Sequence, residues 1–281
     1  MAHIIDGKKI AGDLRAQLAV ACETLNQTRG IVPGLAVVLI GNNPASEVYV
    51  RMKKKACADV GIASFSHELP ADTSQETLLS LIAVLNVDPK IHGILVQLPL
   101  PHHIDAATII QAISPEKDVD GFHPVNAGLL ATGSPGLRPC TPLGIMALIE
   151  NAGMDPSGKH AVIIGRSNIV GKPVALMLLQ AHATVTICHS RTHHLDQVVA
   201  AGDIVVAAIG QPRFVQGDWI KKGAIVIDVG TNRLDDGSLC GDCDFASAKQ
   251  RAGAISPAPG GVGPMTIAML LANTVQAAKQ S

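Results

Sequence analysis

The stretch Ala161–Pro173, AVIIGRSNIVGKP, decides how this chain is read. An apolar run leads into Gly165, and a helix-like continuation, PVALMLLQAHA, opens at Pro173. A strand, a glycine at the turn and a helix behind it are the parts of a dinucleotide-binding turn, where backbone N–H groups at the helix start receive a pyrophosphate. The match to G-x-G-x-x-G is imperfect. Ser167 stands where the second glycine belongs, and the last glycine, Gly171, arrives one residue late. Gly165 still permits the tight bend, the small Ser167 can donate its hydroxyl to phosphate, and Gly171 lets the helix lie close to its strand. An ordinary strand-to-helix turn has the same ingredients, so the loop alone leaves both readings open.

The next strand sharpens the reading. Sites selective for NAD place an acidic residue near the end of that strand, on the ribose 2′-hydroxyl. Here ATVTICH runs into His189-Ser190-Arg191-Thr192 with no acid. Arg191 and Arg166 can flank a 2′-phosphate while Ser190 donates a hydrogen bond, and guanidinium suits that charge. Two surface arginines on loops would also explain the pattern. Arginines and a serine where an acid is expected favour NADP as the cofactor.

Outward from this turn, strand-like and helix-like runs alternate through the whole chain, the pattern of α/β architecture with mostly parallel strands. AVIIG, ATVTICH, DIVVAAIG and AIVIDVG form one βαβ series. GLAVVLIG, IASFSHEL and HGILVQL form an earlier one, with PASEVYVRMKKKACADVG and TSQETLLSLIAVLN at helical apolar spacing between them. The Pro/Gly-rich passage ATGSPGLRPCTP separates the two series, so two domains are expected. The amphipathic end, GPMTIAMLLANTVQAAK, suits packing on either domain.

Composition excludes several classes. The chain has 281 residues, 47% of them hydrophobic and 16% charged, which supplies a sizeable core. No apolar run approaches the roughly 20 residues of a bilayer span, and the opening MAHIIDGKKIAGDLRAQL has no apolar signal region, so neither a membrane nor a secretory role is expected. With a net charge of −1, one Trp, one Tyr and four Phe, nucleic acid is not an expected partner. Six scattered cysteines suit reduced thiols and a cytoplasmic location. Cys240-Gly-Asp-Cys243 is a lone C-x-x-C without a second pair, and His102-His103 and His193-His194 lie in no metal motif, so no metal site is expected.

The first half holds candidate chemistry. Pro44–Lys53 opens a helix with Ser46 or Asn43 available as its cap. Tyr49, the single tyrosine, and Lys53 are four apart and project from one face. A lysine in a dry cleft can serve as general acid or base, and a phenol can orient or relay. Spacing alone equally describes an amphipathic helix with lysines in water. Gln97 lies at the carboxyl end of the strand before Leu98-Pro99-Leu100-Pro101, where open α/β sheets keep their sites. In KDVDGF, Asp120 can accept hydrogen bonds from an amino-pyrimidine. Each of these segments is also a plausible loop with no message of its own.

Taken together, the blocks GNNPASEVYVRMKKKAC, GILVQLPLP, SPEKDVDGFHPVNAG, CTPLGI, IGRSNIVGKP, GAIVIDVGTN and PGGVGPMT resemble the bifunctional methylenetetrahydrofolate dehydrogenase/methenyltetrahydrofolate cyclohydrolase family, in family order. The resemblance implies an α/β fold of two domains. An N-terminal α/β catalytic domain, residues 1–120, would bind folate, and a C-terminal Rossmann-like domain, residues 121–281, would bind NADP, with a cleft between them and the C-terminal helix able to pack back on the first. It implies oxidation of 5,10-methylenetetrahydrofolate with NADP, then hydrolysis of the methenyl cation to 10-formyltetrahydrofolate. Lys53 takes the place of the catalytic lysine. Tyr49 would orient the folate, Gln97 would hydrogen-bond near Lys53, and Asp120 would hold the pterin edge. Leu98, Pro99 and the turn Pro259, Gly260, Gly261 and Val262 would line the substrate site. It carries the cofactor residues over to Gly165, Arg166, Ser167, Ser190 and Thr231, beside the Arg191 expected from the second strand, and the Gly-x-Ser-x-x-x-Gly spacing is the family's normal form. Thr231 stands where isoleucine is frequent, a small change for a backbone contact. A homodimer is implied as well. Two other readings remain open at this point: a dehydrogenase without cyclohydrolase activity, and a non-catalytic binder of NADP or folate.

Overall fold

The computed structural model describes residues 2–281, the side chain of Ala45 excepted. It divides into two compact units, one made of Asp13–Cys140 with Ile267–Ser281, the other of the first dozen residues with Thr141–Thr266.

The first of these units is built on a three-stranded parallel sheet in the order Ala63–Leu69, Gly34–Ile40, Gly93–Val96. The central strand reads GLAVVLI and is buried along its whole length, the signature of a parallel strand covered on both faces. Its alternate residues separate two cores. Leu35, Val37 and Leu39 pack with Val50, Cys57 and Val60 of the helix Pro44–Val60 and with Ile267, Leu270 and Leu271 of the C-terminal helix Val262–Gln280. Ala36, Val38 and Ile40 pack with Leu78, Ile82 and Leu85 of the helix Gln75–Val87. Asn43, rather than Ser46, starts Pro44–Val60, its Oδ1 accepting from Ser46 N at 3.2 Å. Ser74 caps Gln75–Val87 by accepting from Thr77 N at 3.1 Å. Such caps contribute about 1 kcal/mol each.

The second unit carries a six-stranded, all-parallel sheet in the order His3–Ile4, Ala254–Ile255, Ile225–Asp228, Ile204–Ala207, His160–Ile164, Thr184–Cys188. Val162, Ile164, Val205, Ala207 and Val226 form its core with the helices that cover the sheet. The strand His160–Ile164 lies between the two strands that follow it in the chain. The winding reverses there, and open α/β sheets bind ligands outside the carboxyl ends of the strands at such a switch point. The two-residue strands His3–Ile4 and Ala254–Ile255 are not foreshadowed in the sequence, because so short a strand shows no alternation. Among the described residues, no helix is long and apolar enough to cross a membrane.

Candidate functional site

In the unit built around Gly34–Ile40, the helix Pro44–Val60 presents Tyr49 and Lys53 one turn apart. Tyr49 is 42% exposed and Lys53 only 8%. The Lys53 Nζ donates to Gln97 Oε1 at 3.0 Å. Gln97 is held in turn: its Nε2 donates to the Leu98 carbonyl at 2.7 Å, and its backbone N–H to the Val38 carbonyl at 2.9 Å. The buried amine therefore meets a neutral amide whose oxygen is aimed by the end of the sheet.

Asp120 joins this pair electrostatically. Burial pushes its carboxyl up to about 6, opposed by the Lys53 charge and reinforced by Asp118. A crevice of about 10 Å³ lined by Ile94, Val96, Leu98 and Phe122 touches both carboxylates and gives Asp120 its apolar wall. Asp118 has a structural task. It is buried and accepts from Phe122 N at 3.2 Å, His123 N at 2.8 Å and Asn126 Nδ2 at 2.9 Å, which folds the loop that carries Asp120. Behind Asp120, the Asn273 Nδ2 donates to the carbonyls of Val119 and Arg138, each at 2.8 Å. The Cys140 thiol also donates to the Val119 carbonyl, at 3.1 Å. Pro99 lies exposed at the end of the Gln97–Leu98 turn.

Nothing in the sequence alone singles out Asp118 or Asn273. Asn273 is 154 residues from its Val119 partner, a separation at which spacing carries no signal.

In the other unit, Gly165 ends the strand His160–Ile164 with φ +121°, and a Cβ there would run into the Ala208 carbonyl oxygen. Only glycine fits. The Ser167 Oγ accepts from the N–H groups of Val170 at 3.1 Å and Gly171 at 3.3 Å, so the serine closes the turn that leads into the helix Gly171–Gln180 and keeps its own hydrogen to donate. Arg166 and Ser167 are exposed on this loop, and Ser190 and Arg191 are exposed past the strand Thr184–Cys188. His189 shapes that second turn: its Nδ1 accepts from Arg191 N at 3.1 Å, and its N–H donates to Thr192 Oγ1 at 2.9 Å. Thr231 is exposed beyond the strand Ile225–Asp228. A glycine crowded against backbone, a turn serine with a spare donor and two exposed arginines fit a dinucleotide carrying an extra phosphate. Pro259 and Gly260 lie at the surface of a turn in this same unit, ahead of the buried Gly261 and Val262 that lead into the C-terminal helix.

Cys240 and Cys243 are both buried free thiols. Among the described residues, no group of three or more His, Cys, Asp or Glu is placed to hold a metal ion.

Residues 139–281 match the NAD(P)-binding domain of tetrahydrofolate dehydrogenase/cyclohydrolase, and residues 5–120 match its catalytic domain. The chain belongs to the tetrahydrofolate dehydrogenase/cyclohydrolase family. It is 64% identical over 281 residues to the bifunctional protein FolD of Magnetococcus marinus, a match covering 100% of this chain and 99% of that protein. The crystal structure of the bifunctional FolD enzyme from Campylobacter jejuni is similar at a TM-score of 0.97 and 48% identity, covering 100% of this chain and 99% of that one. The Trypanosoma brucei dehydrogenase–cyclohydrolase, solved with NADP cofactor and an inhibitor, is similar at a TM-score of 0.95 and 43% identity, covering 99% and 98%.

Proposed function

We propose that this protein oxidises 5,10-methylenetetrahydrofolate to the 5,10-methenyl cation with NADP, and hydrolyses that cation to 10-formyltetrahydrofolate, with Lys53, Tyr49, Gln97 and Asp120 as its catalytic residues. The observation that carries the reading is the buried Lys53 amine on the Gln97 amide, under the charge of Asp120, in a chain of this family. Hydrolysis requires water to lose a proton as it attacks the methenyl carbon, and N5 to gain one as the ring opens. A positioned amine can mediate both transfers. Lys53 bonds the neutral amide oxygen of Gln97, and among the described residues no carboxylate is recorded on its amine, so it can change partners while Gln97 fixes where it points. Above about pH 6 Asp120 is a carboxylate and accepts from the amino-pyrimidine edge of the pterin. The open ring of Tyr49 offers a face on which the folate lies. Leu98 and Pro99 complete the substrate contacts of this unit, and the turn Pro259, Gly260, Gly261 and Val262 of the other unit is proposed as a substrate contact by the resemblance alone.

NADP, when bound, accepts the hydride. Gly165 and Ser167 would receive its pyrophosphate, Arg166, Ser190 and Arg191 the 2′-phosphate, and Thr231 the far side of the dinucleotide. This reading makes residues 1–120 the folate domain and 121–281 the NADP domain. The protein is further proposed to be a cytoplasmic homodimer with no nucleic-acid partner.

A coupled spectroscopic assay with 5,10-methylenetetrahydrofolate tests the reading, following reduced nicotinamide and the methenyl compound separately with NADP and with NAD. The expected result is reduction of NADP in preference to NAD, with little methenyl compound building up. A steady accumulation of that compound would remove the hydrolytic half of the proposal, and no turnover would remove both.

A further inference from the structure

Cys240-Gly-Asp-Cys243 carries two buried free thiols, and between them stands one of the best-satisfied carboxylates among the described residues. Asp242 is fully buried. Its Oδ2 accepts from the backbone N–H groups of Ile209 at 2.7 Å and Gly210 at 3.0 Å. Its Oδ1 accepts from Gln211 N at 3.0 Å and from the Asn232 Nδ2 at 2.9 Å. Asp242 is itself seated by a second buried carboxylate, Asp228, which accepts from the N–H groups of Asp242 at 2.8 Å, Cys243 at 3.0 Å and Gly230 at 3.2 Å. The packing is tight enough that a Cβ on Gly241 would run into the Asp228 carboxylate, and one on Gly230 into that of Asp242.

The segments it holds are telling. Ile209–Gln211 follow the strand Ile204–Ala207, which pairs with His160–Ile164 at the switch point of the sheet. The chain just before them supplies the Ala208 carbonyl against which Gly165 is pressed. Asn232 is the neighbour of Thr231. Thr184–Cys188, which leads to Ser190 and Arg191, pairs with the opposite edge of His160–Ile164. The loop held by Asp242 thus lies on the side of the strand His160–Ile164 opposite to Ser190 and Arg191.

We propose that Asp242 is a positioning residue for the dinucleotide, fixing the loop Ile209–Gln211 and the Thr231–Asn232 turn along the half of the crevice remote from the 2′-phosphate. The inference rests on the assignment of Gly165, Ser190 and Thr231 to the NADP site. Each Asp242 oxygen serves two donors. An asparagine can keep only one pair and turns its own N–H₂ towards the other, so part of the loop must move. The loss falls on parts common to both dinucleotides, and NADP and NAD should weaken together.

The test is Asp242→Asn, titrated calorimetrically with NADP and with NAD, and assayed for hydrolysis of 5,10-methenyltetrahydrofolate. The expected result is about a tenfold rise in both dissociation constants, an unchanged NADP-to-NAD ratio, and hydrolysis within about twofold of the parent, a tenfold change being about 1.4 kcal/mol of binding. Unchanged NADP affinity, a shifted ratio, or an equal fall in hydrolysis would each overturn the proposal. If Asp242→Asn does not fold, Asn232→Ala removes a single donor and should weaken both dinucleotides about threefold, and unchanged affinity in that variant overturns the proposal equally. Failure of the parent protein to bind NADP is a separate result: it removes the cofactor-site assignment, and the role of Asp242 with it.

Discussion

Asp120 is a carboxyl pushed up to about 6 by burial, against the pull of the Lys53 charge. Two consequences follow from the sign of that shift. A contact that needs the carboxylate fades as pH falls through about 6, so the KM for 5,10-methylenetetrahydrofolate should rise several-fold between pH 7 and pH 5 while NADP binding changes less. Asp120→Asn should weaken the folate contact at every pH and flatten this dependence. A raised carboxyl pKa also opposes folding wherever the group is charged: the native state holds its proton more tightly than the unfolded chain, so this term lowers stability as pH rises from about 4 to about 6. Asp120→Asn removes it. The variant should melt higher than the parent above pH 6, and the difference should vanish as pH falls towards 4. Thermal melts at pH 7.5 and pH 4 check both statements, and a variant less stable than the parent at pH 7.5 would contradict the origin assigned to the shift.

The helix Pro44–Val60 shows what was legible at the scale of an element. Its apolar spacing, its Pro44 start and the four-residue step from Tyr49 to Lys53 could all be read from the chain. Which of Asn43 and Ser46 caps it could not, since both are good cap residues and the choice depends on backbone geometry at the turn. Nor could spacing bring Gln97 to Lys53 across 44 residues; that pairing was expected only from the family resemblance. The buried apolar runs Gly34–Ile40 and Ile204–Ala207 were equally readable, because parallel strands covered on both faces leave long unbroken apolar segments. His3–Ile4 and the carboxylate of Asp242 were not, since their roles exist only through distant partners.

The C-terminal helix was legible as amphipathic, but not the polar residue in it that matters most. Asn273 is 2% exposed, and its amide bonds to two backbone carbonyls beside Asp120. Asn273→Ala leaves those carbonyls without this donor, a loss of about 1–3 kcal/mol. Asn273→Asp, which turns an acceptor towards two acceptors, should cost more. Urea unfolding of both variants tests the order, and a more stable Asn273→Asp would refute it.

At the scale of the whole molecule, the chain forms two compact units with separate hydrophobic cores. Tyr49, Lys53, Gln97 and Asp120 fall in one of them, and Gly165, Arg166, Ser167, Ser190, Arg191 and Thr231 in the other. Substitutions in the two sets should therefore separate the activities. Lys53→Ala should slow methenyl hydrolysis by about 10²–10⁴, the range for loss of a proton-transferring group, while NADP affinity stays within about twofold. Arg191→Ala should weaken NADP by roughly tenfold through loss of a phosphate contact, leave NAD nearly unchanged, and spare hydrolysis. Calorimetric titration and a hydrolysis assay without added dinucleotide read the five outcomes independently. Because each unit buries its own core, neither exposed Arg191 nor the amine of Lys53 should carry much of the other unit's stability. A Lys53→Ala protein that lost NADP binding as completely as hydrolysis would show instead that the lysine supports the fold of both units, and its assignment to proton transfer would fail.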